Sequence, residues 1–138
     1  MRYKMSAADQ LQLIASKAPS DIPAISSDPF FGEQINRLYF AYPRFLLERL
    51  YDELLERLYF PWERVEGNEP LYIHIANTHH WRLSEVRQMK EDELLEILRP
   101  QIREVLLSSD EVDQVLKQTG DLMPSEMKAD LKARIRPL

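Results

Sequence analysis

Residues 62–83 read WERVEGNEPLYIHIANTHHWRL, and the fold class turns on this stretch. Leu71, Ile73 and Ile75 alternate with Tyr72, His74 and Ala76, the period of two that places apolar side chains on one face of a strand. Gly67-Asn68, between Val65 and Leu71, suits the tight turn of a two-residue hairpin. A weaker third strand pattern covers Trp81 to Val86. The expectation is a small antiparallel β-hairpin or meander over residues 62–86.

On either side the period changes to that of a helix. Ser6 suits an N-cap for a helix through about Lys17, with Ala8, Leu11, Ile14, Ala15 and Ala18 on one side. Pro19, Pro23 and Pro29 then forbid helix, giving a strap that Ile22 and Ile25 would anchor. Asp28-Pro29 pairs a capping residue with a residue suited to the first helical position. Phe31, Ile35, Leu38, Tyr39 and Tyr42 follow at helical spacing, and Pro43 either kinks that helix or starts the next. From Arg44 to Phe60, Leu46, Leu50, Leu54 and Leu58 form one row beside Leu47, Tyr51, Leu55 and Tyr59. Pro61 ends it. Later helices begin near the acids Glu91, Asp92 and Glu93, are broken or kinked at Pro100, restart at Ser109 or Asp110 and stop at Gly120. Pro124-Ser125 opens the last, with Met127, Leu131 and Ile135 as its apolar row. Five to six helices with a small sheet make a mainly helical α+β domain, residues 1–138. Its segments are 1–28 (helix and strap), 29–61 (aromatic and leucine-rich helices), 62–86 (β region) and 87–138 (C-terminal helices).

The 138 residues suffice for one domain that buries roughly two-thirds of its unfolded surface. Three glycines against nine prolines suit helices with stiff punctuation better than glycine-rich hairpins. The three glycines also cannot build a phosphate-binding loop, and no serine sits in a nucleophile elbow. A formal charge of −5, with both signs mixed along the chain, gives no general attraction to nucleic acid or anionic lipid. Without cysteine there are no disulfides, thiolate metal sites or cysteine nucleophiles. Arg2 and Lys4 are followed by no apolar run of signal-peptide length, and no segment matches a membrane span. A cytoplasmic protein without a cofactor is expected.

His74, His79 and His80 fall within seven residues and could supply a metal or a general base, the basis of a metal-dependent enzyme reading. Their spacing matches no helix-borne or finger-type zinc pattern, so surface and packing roles are preferred. A nucleic-acid reading rests on the last two helices, where Lys128, Lys132, Arg134 and Arg136 cluster as on a recognition helix. Glu111, Asp113, Asp121 and Asp130 oppose it. Ten of the thirteen aromatic residues lie between Phe30 and Trp62, beside Arg37, Arg44, Arg57 and Arg64. A core absorbs most of them, and the remainder have the composition of a protein interface. The expected function is therefore non-enzymatic protein binding, as an adaptor, assembly factor, inhibitor or small regulatory subunit. Arg37, Phe40, Phe45, Tyr51, Tyr59 and Trp62 are its expected contact residues. The two-row leucine and tyrosine face looks too wide for one intramolecular contact, so a homodimer is the default form.

Overall fold

A computed structural model describes residues 5–137; Arg2 and Lys4 of the leader reading lie outside them. The described residues contain eight α-helices: α1 Ala7–Ser16, α2 Gly32–Leu58, α3 Glu69–His79, α4 Leu83–Val86, α5 Glu91–Ile97, α6 Arg99–Arg103, α7 Ser109–Thr119 and α8 Ser125–Ala133. A single 3-10 turn, Gly120–Leu122, follows α7. They fall into two compact units, one built from Leu46–Val105 and the other from the residues before and after that span.

The α+β expectation is overturned. No strand occurs among the described residues, and the only bridge is an isolated one joining Leu107 to Ile135. The stretch expected to form the hairpin is α3 and α4. Leu-Tyr-Ile-His-Ile-Ala satisfies both periods at once: Leu71 and Ile75 are four apart, and they are the buried pair, whereas Ile73 is only half-buried. Local chemistry favours the helix. Pro70 stands at its first turn, where a missing N–H costs nothing, and Glu69 complements the dipole there. Gly67 does adopt a positive φ of 57°, but it delivers the chain into α3 instead of closing a hairpin. His80 ends α3 in the left-handed conformation, and its N–H donates to the Ala76 carbonyl.

In the first unit α3 packs on α4, and α5 on α6. Leu71, Ile75, Val86, Leu94 and Leu98 are fully enclosed. The helix break expected at Pro100 falls at Leu98, with Pro100 in the opening turn of α6.

In the second unit α1 packs on α7, and α7 on α8. Ser6 caps α1 through its hydroxyl, which accepts from the Asp9 N–H at 3.2 Å. Ser108, one residue before the expected cap, forms a reciprocal capping box with Glu111 at the start of α7. Gly120 closes α7 at φ 55°, a backbone that side-chain-bearing residues rarely adopt. The Asp28 carboxylate accepts from the N–H groups of Phe30 and Phe31, leading into α2. Those bonds, the Phe31 one first, hold its pKa below the usual aspartate value.

Pro43 neither ends α2 nor starts a new helix; Gly32–Leu58 is continuous. Its missing N–H withdraws the donor an ordinary residue would offer the Tyr39 carbonyl. One residue on, the Arg44 guanidinium donates to the Phe40 carbonyl at 2.9 Å and lies 3.8 Å from the Phe40 ring centroid. Continuity brings Leu38, Ala41, Tyr42 and Phe45 into one i, i+3, i+4, i+7 stripe, and all four are buried. Further along, Leu46, Leu47, Leu50, Tyr51 and Leu54 are buried as well. Among the described residues no helix is long and apolar enough to cross a membrane.

Candidate functional site

The residues after α2 hold an exposed, stacked aromatic pair. Phe60, Pro61, Trp62 and Glu63 form a turn with proline at its second position, closed by the Glu63 N–H donating to the Phe60 carbonyl at 3.0 Å. The Glu63 carboxylate in return accepts from the Phe60 N–H at 2.9 Å. This reciprocal pair fixes the backbone beneath the two rings. The rings of Phe60 and Trp62 stack with centroids 4.9 Å apart and planes within 5°. Phe60 is 62% and Trp62 79% exposed, so the stack is rigidly mounted yet mostly in water. Leu58, at the end of α2, is also exposed.

Beside the turn lies a polar hollow of about 400 Å³ lined by Tyr59, Arg64, Val65, Glu66, Glu69 and Arg87. The Arg87 guanidinium grips Glu69 through both carboxylate oxygens, with Nε contacts of 3.2 and 3.1 Å. This bond lowers the Glu69 pKa and raises that of Arg87. The Tyr59 hydroxyl is buried without a hydrogen-bond partner among the described residues. Burial, followed by the charge of Glu69, raises its pKa.

The six expected contact residues are dispersed. Phe45 and Tyr51 are in the interior. Phe40 is half-buried beneath Arg44, and Arg37 pairs with Glu33 at 3.0 Å. Tyr59 is half-buried and Trp62 is exposed, three residues apart in one unit. Phe60 belongs with them but was outside the expected set. Its signal was the Phe-Pro-Trp-Glu turn, which forbids both rings from continuing the α2 rows.

The histidines do not converge. His74 lies within α3, His79 at its last position stacks on Trp81 at 4.7 Å, and His80 forms the left-handed cap. Among the described residues no three His, Asp or Glu side chains come together as a metal site requires. The His74 Nε2 is buried with no partner among the described residues, and burial, then the charges of Arg57 and His79, lowers its pKa. A histidine with a depressed folded pKa binds its proton more readily when unfolded. Its contribution is whole above the unfolded value of about 6.5 and is lost as pH falls towards the folded value. Urea unfolding at pH 7 and pH 5 should show stability falling with acid, and His74→Met should flatten that fall. Equal slopes for both proteins would remove His74 as the cause.

Of the four C-terminal cations, Lys132 and Arg136 are exposed, Lys128 is half-buried and Arg134 is buried. Arg134 Nε donates to Asp130 Oδ2 at 2.9 Å, and the Tyr42 hydroxyl donates to the same oxygen at 2.6 Å. Burial and then the bond to Asp130 push the Tyr42 hydroxyl far above the ordinary tyrosine range, so it remains a donor. Nearby, the Tyr39 hydroxyl donates to Glu126 at 2.6 Å. Acidic side chains therefore sit directly on this helix, where a nucleic-acid phosphate would meet repulsion.

Compared with known proteins, the chain matches no family model, no curated protein and no solved structure.

Proposed function

We propose that this protein is a non-enzymatic, cytoplasmic protein-binding module, of the adaptor, assembly-factor, inhibitor or small regulatory-subunit kind, that docks through the Phe60–Trp62 turn. The observation that carries this reading is the stacked pair, exposed on a backbone already fixed by Glu63. Large aromatic rings supply most of the energy of many interfaces, and a preorganised mount removes part of the ordering cost of binding. Leu58, two residues before Phe60, is also exposed, and the exposed Arg64 and Glu66 follow the turn in sequence, the polar residues an interface rim needs. The partner is another protein. Pairing of two copies through the leucine rows has less to recommend it, because Leu46, Leu47, Leu50, Tyr51 and Leu54 are already covered.

A photoreactive amino acid at Arg64, beside the pair, tests the reading in native lysate. A discrete protein adduct is expected, lost when Phe60 and Trp62 are both alanine and absent from a probe at the exposed Lys117. An adduct of twice the chain mass would identify a second copy as the partner. Adducts indifferent to the alanine substitutions would overturn the proposal.

A further inference from the structure

A groove of about 280 Å³ opens between α1, the first part of α2, and α7, all within one compact unit. Its apolar wall is Leu11, Ala15, Leu38, Val115 and Leu122. The space exists because α1 presents alanines at positions 8 and 15. Hydroxyls that would wet the wall are committed elsewhere: Ser16 donates to the Leu13 carbonyl at 2.7 Å, and Thr119 to the Val115 carbonyl at 2.8 Å. An amide bridge from Gln118 to Gln12 ties α7 to α1 across the groove's edge.

Among the described residues lining the groove, Arg37 alone is charged. Its partner Glu33 lies one turn earlier on α2, outside the lining, with 77% of its side chain exposed. Such an i, i+4 surface pair is weak and exchanges readily for a better acceptor. An apolar wall ending at a guanidinium is complementary to a molecule with an apolar chain and one terminal anion. A guanidinium fork fits a carboxylate through two parallel bonds. The volume lies just below the ~300–1,000 Å³ of pockets for drug-sized ligands.

We propose that this groove binds a small aliphatic monocarboxylate, with its chain against Ala15, Leu122 and the edge of Leu38, over the enclosed Leu11 and Val115, and its carboxylate on Arg37. The site is independent of the Phe60–Trp62 turn and requires no macromolecular partner.

The test is a protein-observed NMR titration with octanoate and, separately, 1-octanol. Octanoate should saturate in the low-millimolar range or below, with shifts centred on the groove residues. Arg37→Gln, an exposed change that leaves the core intact, should weaken octanoate about tenfold, the loss of one charge-assisted contact, and leave octanol unchanged. Ala15→Leu, which fills the groove, should abolish binding of both. Octanoate that fails to saturate, binds no better than octanol, shifts residues elsewhere, or is indifferent to Arg37→Gln would overturn the proposal.

Discussion

Replacing Phe45 by alanine is expected to cost about 3–5 kcal/mol of folding stability, the range for a large aromatic removed from a packed interior. Phe45 has no exposed surface, and its ring stacks on Tyr42 with centroids 6.4 Å apart. Lost apolar burial accounts for part of the cost, and the cavity left among neighbours that cannot fully collapse accounts for the rest. Phe45→Leu retains much of the volume and should cost distinctly less. Urea unfolding of the three proteins checks this. A Phe45→Ala protein within about 0.5 kcal/mol of wild type, as at an unspecialised surface position, would mean that the side chain is not interior.

The second large effect is expected at Asp130. One of its oxygens accepts from both the Tyr42 hydroxyl and the Arg134 guanidinium. Both donors are buried, at 8% exposure each, so neither readily replaces the carboxylate with water. Breaking a fully buried ion pair costs roughly 3–5 kcal/mol. Asp130 is itself half-exposed, and solvent screening lowers the expectation for Asp130→Ala to about 2 kcal/mol. Tyr42→Phe removes one donor with no charge and should cost about 1 kcal/mol. The double variant should be less destabilised than the sum, because the two substitutions destroy the same bond. Strict additivity would show that the shared oxygen does not couple them.

Much of the helical framework was legible because helix ends have local chemistry. Ser6, Gly120 and the break near Pro100 mark real boundaries, and each acts through its own backbone or hydroxyl. The β region failed for a physical reason. Six residues, Leu71 to Ala76, are too few to separate a period of two from one of 3.6, and two isoleucines tilted the balance towards strand. The deciding signals, Glu69-Pro70 at a helix start, were present but local, whereas the alternation was conspicuous.

Pro43 had a similar consequence for the candidate site. A break there hides the stripe Leu38, Ala41, Tyr42 and Phe45, and makes Phe45 look surplus to the core. α2 runs on through Pro43 although the Tyr39 carbonyl loses its usual donor there, an outcome that the helix-breaking propensity of proline does not record. Tyr51, expected as a contact residue because its row looks too wide for one intramolecular contact, is interior. Trp62 was legible by exclusion, since Pro61 removes it from the helix. Phe60 carries the same Pro61 signal, but its stacking on Trp62 depends on the turn's geometry more than on residue type.

The most direct measurement compares stability and binding in one variant, Phe60→Ala with Trp62→Ala. If the stack is a docking surface mounted on a finished fold, the unfolding free energy should stay within about 0.5 kcal/mol of wild type. Affinity for the partner identified through the Arg64 probe, measured by calorimetry, should fall about a hundredfold, as expected when interface anchors are truncated. Loss of several kcal/mol of stability, or an affinity equal to wild type, would contradict the account.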